Sequence, residues 1–377
     1  MILAPERKII SPRFEFNSDN PYQPSVSETQ KNYIDKIKLN IANKSYNLQH
    51  SACPCGAESS EDILVSEIDR YGIPLKSVLC NQCGTVRFDP YLDEASLADF
   101  YTNIYRKMYA MDVDDSADYG DYIASQSSYS EKLLQFAGDS LTPKSRLCEV
   151  GCGGGGSVKF MQERGYDAIG CDYDVAALQA GRHYGVKHLY YGDLNSLPEE
   201  QRKAKFDLIY LHHVFEHLDQ PLNFLQEARQ YLTPNGKIVL IVPDISRIDQ
   251  FGHLPALGNL LMYLHIAHKY NFSIDGLHRI ANQVDFAVDK LELGSSSKSS
   301  SPWSSSPEIW IQISPNSTQG NTTVHQESSS RPSRMLNYLL RTEKLFRLGL
   351  CRGQIIYKMS ALASPKKLTT KLRRIMP

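Results

Sequence analysis

The stretch LCEVGCGGGGSV, residues 147–158, decides the fold. Its apolar first half reads as a short strand. Its second half packs five glycines into the six residues 151–156, and a carboxylate, Glu149, stands just before them. A turn so bare of side chains lets another chemical group approach the backbone closely. Outward from this turn, strand-like and helix-like segments alternate. SRLCEV, DAIGCD, KHLYYGD, FDLIYLHHV and KIVLIVPD read as strands; GSVKFMQERG, VAALQAGRHYG and QPLNFLQEARQYLTPNG read as the helices between them. Strands separated by helical segments of ~10–15 residues imply right-handed crossovers and a parallel sheet. DFAVDKLEL and PEIWIQIS read as two more strands, joined by the Ser-rich stretch GSSSKSSSPWSSSP, a long surface loop or, as the alternative, a linker between domains.

The chain has 377 residues and a net charge of -1, unevenly spread. From Arg331 onward it carries twelve Lys or Arg against one acid, Glu343. The opening MILAPERKII lacks the apolar core of a signal peptide, and no apolar run approaches the ~18 residues of a membrane span. A cytoplasmic location is expected. The eight cysteines read as reduced thiols plus a metal site and not as a disulfide framework.

In a parallel sheet, ligands sit at the carboxyl ends of the strands. A dinucleotide-binding turn, G-x-G-x-x-G, aims a helix N-terminus at a pyrophosphate. Here the pattern is Glu149-x-Gly151-x-Gly153-x-Gly155. An acid at that place repels a pyrophosphate and suits an ammonium group. With the later segments in their order, this region resembles the class I S-adenosylmethionine (SAM)-dependent methyltransferases. YDAIGCD ends in Asp172, YYGDL contains Asp193, and FDLIYLHHVFEHLDQP and YLTPNGKIVLIVPD resemble the fourth and fifth strands of that family. The resemblance covers roughly residues 130 to 313. It implies an α/β fold, a Rossmann-like seven-stranded, mostly parallel sheet with helices on both faces, plus a small N-terminal zinc module. It also implies SAM as cofactor. Glu149 would hold the methionine ammonium, Asp172 the ribose hydroxyls, and Asp193 the adenine amine, with the Leu194 backbone nearby. Tyr173 would either stack beside the adenine or serve as an ordinary turn residue. His212 and His213 end the fourth strand near the methionine end. Adjacent strand residues point to opposite faces, so at most one of the two faces the cofactor.

After that strand, Glu216 and His217 fall where the methyl group is presented. A hydroxyl acceptor benefits from a base with a pKa near neutrality, and His217 is the candidate. Glu216 orients it or caps the following helix. Alternatively, both residues are scaffold. His268, in HIAHKYNFS with His265, is a further acceptor-side candidate.

CPCG and CNQCG place Cys53, Cys55, Cys80 and Cys83 as four thiolates for a structural zinc; the second is a C-x2-C knuckle. The first pair is one residue short of that spacing, and His50 is an alternative ligand. The domain reading is an N-terminal arm over 1–50, a zinc module over 51–90, a tyrosine-rich helical connector or lid over 91–140, and the methyltransferase domain over 141–315. Within that domain lies a Ser-rich loop over 295–306, and a basic tail follows over 316–377. DEASLADFYTNIY places Leu97, Phe100, Tyr101 and Ile104 at helical spacing. The tail places Leu336, Leu339, Leu340 and Phe346 likewise, which fits a helix packed on the domain, a membrane-surface helix or a nucleic-acid contact. Nucleic acid is the least favoured, because interleaved aromatic platforms are missing. A zinc module ahead of such a domain resembles bacterial methyltransferases acting on sugars in polysaccharide or secondary-metabolite assembly. The expected reaction is O-methylation of a glycan or nucleotide-linked sugar. The alternatives are methylation of RNA or another small metabolite, or a protein that binds SAM without turnover.

Overall fold

The structure, a computed structural model, describes residues 9–16, 26–109, 119–127, 129–138, 141–248, 259–295, 307–316 and 331–350. Residues 296–306 of the Ser-rich loop and residues 317–330 and 351–377 of the basic tail lie outside the described residues. In the polar first fifty residues, where only a loose arm is expected, helix α1 (Glu28–Ala42) forms behind a Ser27–Gln30 capping box. In that box each side chain accepts from the other residue's backbone N–H. Phe14, Ile34 and Ile37 anchor this region in a core shared with Leu79, Phe88, Phe100, Ile104, Leu260 and Leu264. So few apolar contacts on so polar a helix leave almost no periodic signal in the sequence.

Five short strands follow: β1 (Leu48–Gln49), β2 (Ile63–Ser66), β3 (Ser77–Leu79), β4 (Val86–Phe88) and β5 (Tyr91–Leu92). The helical spacing at 97–104 forms helix α2 (Glu94–Asp99), which runs on through a π-helical turn (Phe100–Tyr105) into α3 (Arg106–Tyr109). Leu97, Phe100 and Ile104 are buried, while Tyr101 is half-buried. Helices α4 (Tyr119–Gln126) and α5 (Ser130–Ala137) complete the connector.

The large sheet is built from β6 (Arg146–Val150), β7 (Asp167–Asp172), β8 (Leu189–Tyr191), β9 (Phe206–His212) and β10 (Leu232–Pro243), with two later strands. Between these run α6 (Gly156–Glu163), α7 (Val175–His183), α8 (Glu199–Lys203) and α9 (Pro221–Gln230). Strand β11 (Tyr270–Asn271), helix α10 (Ile274–Gln283) and strands β12 (Phe286–Ser295) and β13 (Pro307–Pro315) close the domain, and α11 (Arg331–Arg347) follows. The strand order is β12-β13-β10-β9-β6-β7-β8. Neighbours from β10 to β8 are parallel; β13 runs antiparallel to both β10 and β12.

The period of two sorts the strand side chains onto two helical layers. Cys148, Ile169, Ile209, Leu211, Ile238 and Leu240 face Leu225 of α9 and Leu277 and Ile280 of α10. Leu147, Ala168, Leu208, Tyr210, Val239 and Trp310 face Leu133 of α5, Val158 and Met161 of α6, and Leu178 of α7. Burial on both faces is why these strands read as continuous apolar runs. The order reverses between β6 and β9, which opens a crevice at their carboxyl ends.

The cysteine-bearing segment does not stand apart. Strand β11, from within the large domain, pairs antiparallel with β4, and the small sheet runs β11-β4-β3-β2. Ser273 Oγ donates to the Cys83 carbonyl at 2.5 Å and accepts from Gly276 N at the start of α10. At the other end of the chain, Arg13 is bound by both oxygens of Glu343 at 2.6 Å. This anchors α11 alongside buried Leu339 and Phe346, whereas Leu340 of the same expected apolar set is 41% exposed.

Helix α7 packs directly on the glycine turn: a Cβ added to Gly181 would lie 2.2 Å from the Gly154 carbonyl oxygen. Gly181→Ala is therefore expected to lower stability by about 1–3 kcal/mol, measured as a lower urea midpoint at unchanged slope.

Candidate active site

The glycine turn links the ends of β6 and β7 through its backbone. Gly151 N and Cys152 N both donate to the Cys171 carbonyl, at 2.8 and 3.1 Å. Gly153 N donates to Asp172 Oδ2 at 2.7 Å, and Asp174 N to Oδ1 at 2.7 Å. Gln126 of α4 brackets the turn, donating to the Cys152 carbonyl and accepting from Gly154 N, both at 3.1 Å. Gly151 has φ +74°, and a Cβ there would lie 2.3 Å from Val214 Cγ2. At Gly156 a Cβ would lie 1.9 Å from the Ile123 carbonyl oxygen. At these places the bareness lets α4 and the segment after β9 close on the turn.

Glu149, at the end of β6, is 3% exposed. The Tyr129 hydroxyl donates to its Oε1; its Oε2 is buried without a partner. Burial pushes the carboxyl up to about 8, against the opposing pull of the Tyr129 bond. An unpartnered, buried carboxylate oxygen beside a glycine turn fits a cationic group such as the methionine ammonium of SAM. Burial likewise raises Asp172 above the usual carboxylate range, opposed by the Gly153 amide.

Just past β7 and at the end of β8, the tyrosines lie in the open. Tyr173 is 63% exposed and donates to Asp193 Oδ2 at 2.9 Å, and its ring meets Tyr191 edge-on at 5.7 Å. Burial pushes the Asp193 carboxyl upward, but the Ser196 and Tyr173 hydroxyls outweigh it and hold the group below its ordinary value. The Leu194 side chain belongs to the core.

A second group of polar side chains gathers beyond β9. The expectation that His212 and His213 face opposite sides fails here. His213 leaves the strand with φ +55°, so strand alternation no longer applies, and both imidazoles turn to one buried carboxylate. Glu308 Oε1 lies 2.8 Å from His213 Nε2 and 3.6 Å from His212 Nε2. His212 also stacks on Tyr129, ring centroids 3.7 Å apart. Burial opposes a charge on His213, but Glu216 and Glu308 outweigh it and push it up to about 10. Burial lowers His212, His217 and His268.

Glu216 is fully buried. It neither hydrogen-bonds His217 nor caps α9, whose N-cap, Gln220, lacks a side-chain bond. Its nearest charge partners are His213 Nδ1 at 3.5 Å and His268 Nε2 at 3.8 Å. His217 Nδ1 lies 3.3 Å from the Tyr101 hydroxyl, and its ring meets His268 edge-on at 4.7 Å. Donor atoms of Glu216, His217 and His268 all lie within 4.8 Å of one another.

Far along the sequence from these groups, Cys53, Cys55, Cys80 and Cys83 are buried together. Two Sγ–Sγ distances are 3.6 and 3.7 Å, close to the edge of about 3.8 Å expected for a tetrahedron with Zn–S about 2.3 Å. His50 instead lies 3.0 Å from Asp89 Oδ1 with a side chain 63% exposed. The four-sulfur set thus fits a closed structural zinc without it.

Tyr129, Tyr191 and Glu308 escape the sequence reading as individual site residues. Tyr129 is one of many connector tyrosines. Glu308 sits in an apolar strand remote in sequence, although a lone acid in such a run is itself a signal.

A doubly wound sheet, a glycine turn at the switch point and acids at successive strand ends define a Rossmann-like architecture. Within it, residues 122–291 match the family model described as a methyltransferase domain. Over 135 residues the chain is 31% identical to a ubiquinone biosynthesis O-methyltransferase of Histophilus somni (strain 2336), covering 34% of this chain and 56% of that protein. Over 100 residues it is 29% identical to the mitochondrial ubiquinone biosynthesis O-methyltransferase of Schizosaccharomyces pombe, covering 25% and 36%. The chain thus spans little more than half of the first relative and about a third of the second. Among solved structures, the glycopeptide N-methyltransferase MtfA complexed with sinefungin aligns at 13% identity and TM-score 0.39, over 54% of this chain and 96% of that one. Among the described residues no helix is long and apolar enough to cross a membrane.

The purified chain is expected to carry zinc that Cys83→Ser abolishes, with a lower thermal midpoint, because a closed zinc site contributes folding free energy directly. Elemental analysis and calorimetry read both; a variant that keeps its zinc would refute the four-sulfur site.

Proposed function

We propose that this chain is a SAM-dependent methyltransferase that methylates an oxygen of a small acceptor, a sugar, glycan or nucleotide-linked sugar. The observation that carries the cofactor assignment is the buried, unpartnered Oε2 of Glu149 beside the glycine turn. When bound, SAM supplies an electrophilic methyl group on a sulfonium. Glu149 receives the ammonium, Asp172 the ribose hydroxyls, and Asp193 the adenine amine. Tyr173, with Tyr191 beside it, flanks the adenine. Gly151, Gly153 and Gly155 give the backbone access, and His212 borders the methionine end.

Displacement at a methyl carbon depends chiefly on alignment of the reacting atoms. The acceptor side is formed by Glu216, His217 and His268, with His217 taking the hydroxyl proton. Burial lowers the His217 pKa by disfavouring the imidazolium, opposed by the nearby Glu216 carboxylate. The O-methyltransferase names of the curated relatives support oxygen as the atom methylated. Those same names favour, as second reading, a small hydroxylated metabolite other than a sugar. The zinc at the four cysteines is structural, for it leaves no ligand position open. The buried anchoring of α11 supports a packed helix, which leaves any membrane-surface contact to residues beyond 350.

Transfer of labelled methyl from SAM into a fractionated cell extract tests the assignment. Label in nucleotide sugars or glycans supports the first acceptor class, label in small metabolites the second, and label in RNA overturns both. Asp172→Ala should weaken SAM binding by about 1–3 kcal/mol. Unchanged affinity would sink the site assignment.

Glu149 also sets a pH dependence. With a folded value of about 8, it is protonated at pH 7 in the free chain, whereas an ammonium partner favours its ionised form. SAM affinity should therefore rise as pH rises towards 8, with a proton released on binding. Free-chain stability moves oppositely: a raised carboxyl contributes most below its unfolded value and loses that contribution as pH climbs to about 8. Calorimetry in buffers of different ionisation enthalpy should detect the proton, and Glu149→Gln should abolish its release.

A further inference from the structure

We propose that Glu216, His217 and His268 form a binding site for one divalent transition-metal ion, of the zinc, cobalt(II) or iron(II) type, on the acceptor side of the cleft. The evidence is the donor set and its burial. Glu216 is fully buried, and neither of its oxygens has a hydrogen-bond partner. Buried carboxylates are ordinarily hydrogen-bonded or paired, so two orphaned oxygens on one side chain call for a missing partner. The neighbouring imidazoles stand at ion-pair distance but supply no hydrogen bond. His213 is committed to Glu308, 2.8 Å from its Nε2, and stands 3.5 Å from Glu216. His268 Nε2 comes only to 3.8 Å.

The same atoms suit a metal. Donor atoms of the three residues lie within 4.8 Å of one another, and metal bonds of about 2.0–2.2 Å would draw them in by a side-chain adjustment. His217 Nδ1 lies 3.3 Å from the Tyr101 hydroxyl, which leaves Nε2 as donor; a hydrogen-bonded second nitrogen is the usual companion of a metal-ligating imidazole. Two imidazoles and one carboxylate suit zinc or iron(II) better than magnesium, and they leave coordination positions open. A second gathering, His212, His213 and Glu308, lacks this incentive. There the Glu308 oxygens already accept from His213 Nε2 at 2.8 Å and Trp310 Nε1 at 2.9 Å.

The placement on the acceptor side rests on the methyl-transfer reading, whereas ion binding does not. With the ion present, an acceptor hydroxyl would occupy an open position and lose its proton to water. No electron transfer is involved. The ion would take over from His217 the task of ionising the hydroxyl, and it would select acceptors with a second oxygen close enough to chelate.

The test is a cobalt(II) titration of the full chain with its cysteine site left filled, read by calorimetry and visible absorbance, without SAM or acceptor. Wild type should bind one further equivalent with the absorbance of nitrogen- and oxygen-ligated cobalt. His268→Ala and Glu216→Gln should each weaken this binding roughly tenfold or more, with circular dichroism unchanged. His212→Ala should leave it intact. Failure of wild type to bind beyond the cysteine site, or equal binding by both ligand variants, overturns the proposal. SAM affinity, measured separately, shows whether the cofactor assignment stands apart from that result.

Discussion

The hydrogen bonds between the glycine turn and the end of β7 are the constraint on which the rest of the cleft depends. Two consecutive amides share the Cys171 carbonyl, and the next but one amide from Gly151 binds Asp172. These bonds place the ends of β6 and β7 side by side, so that Glu149 and Asp172 open onto one crevice. The turn can make them only with φ positive at residues 151, 153 and 155, the region glycine occupies without strain. The crowding by Val214, Ile123 and Gly181 shows a second demand on the same residues, since α4, α7 and the segment after β9 all close on the turn.

Beyond β9 the controlling physics is charge in a water-poor setting. Glu216 and Glu308 are both fully buried, and His213 lies between them. Glu308 is hydrogen-bonded by His213 and Trp310, whereas Glu216 has His213 and His268 only at ion-pair distance. The difference follows from position: Glu308 comes from the start of β13, two residues before Trp310, whose indole donates to it, while Glu216 comes from a 3-10 turn after β9. A buried carboxylate without hydrogen bonds is costly in a folding core and useful where a cation or a proton is to be handled.

The small sheet explains how a cysteine module and a nucleotide-binding domain become one body. Strand β11 belongs to the large domain in sequence and to the small sheet in hydrogen bonding. Ser273 joins the two again, capping α10 while binding the carbonyl of Cys83. Tyr101, from the connector, reaches His217 and the Ala267 carbonyl, so the helices after the module pack against the histidine cluster beyond β9.

The sequence by itself determined the elements. Largely apolar runs at 146–150, 206–212 and 238–243, separated by helical segments, pointed to a mostly parallel sheet, and Glu149, Asp172 and Asp193 fell at or near strand ends by spacing alone. Local patterns report such features because period and turn chemistry are local. Tertiary structure decided the partnerships. Tyr129 meets Glu149 and His212, Glu308 gathers two histidines from 95 residues away, and Arg13 binds Glu343 across nearly the whole chain. It also decided that His212 and His213 share a carboxylate, because one left-handed residue cancels strand alternation. Such contacts leave no periodic trace: they arise where strand ends and loops converge, and the sheet order, not neighbouring sequence, sets which residues meet.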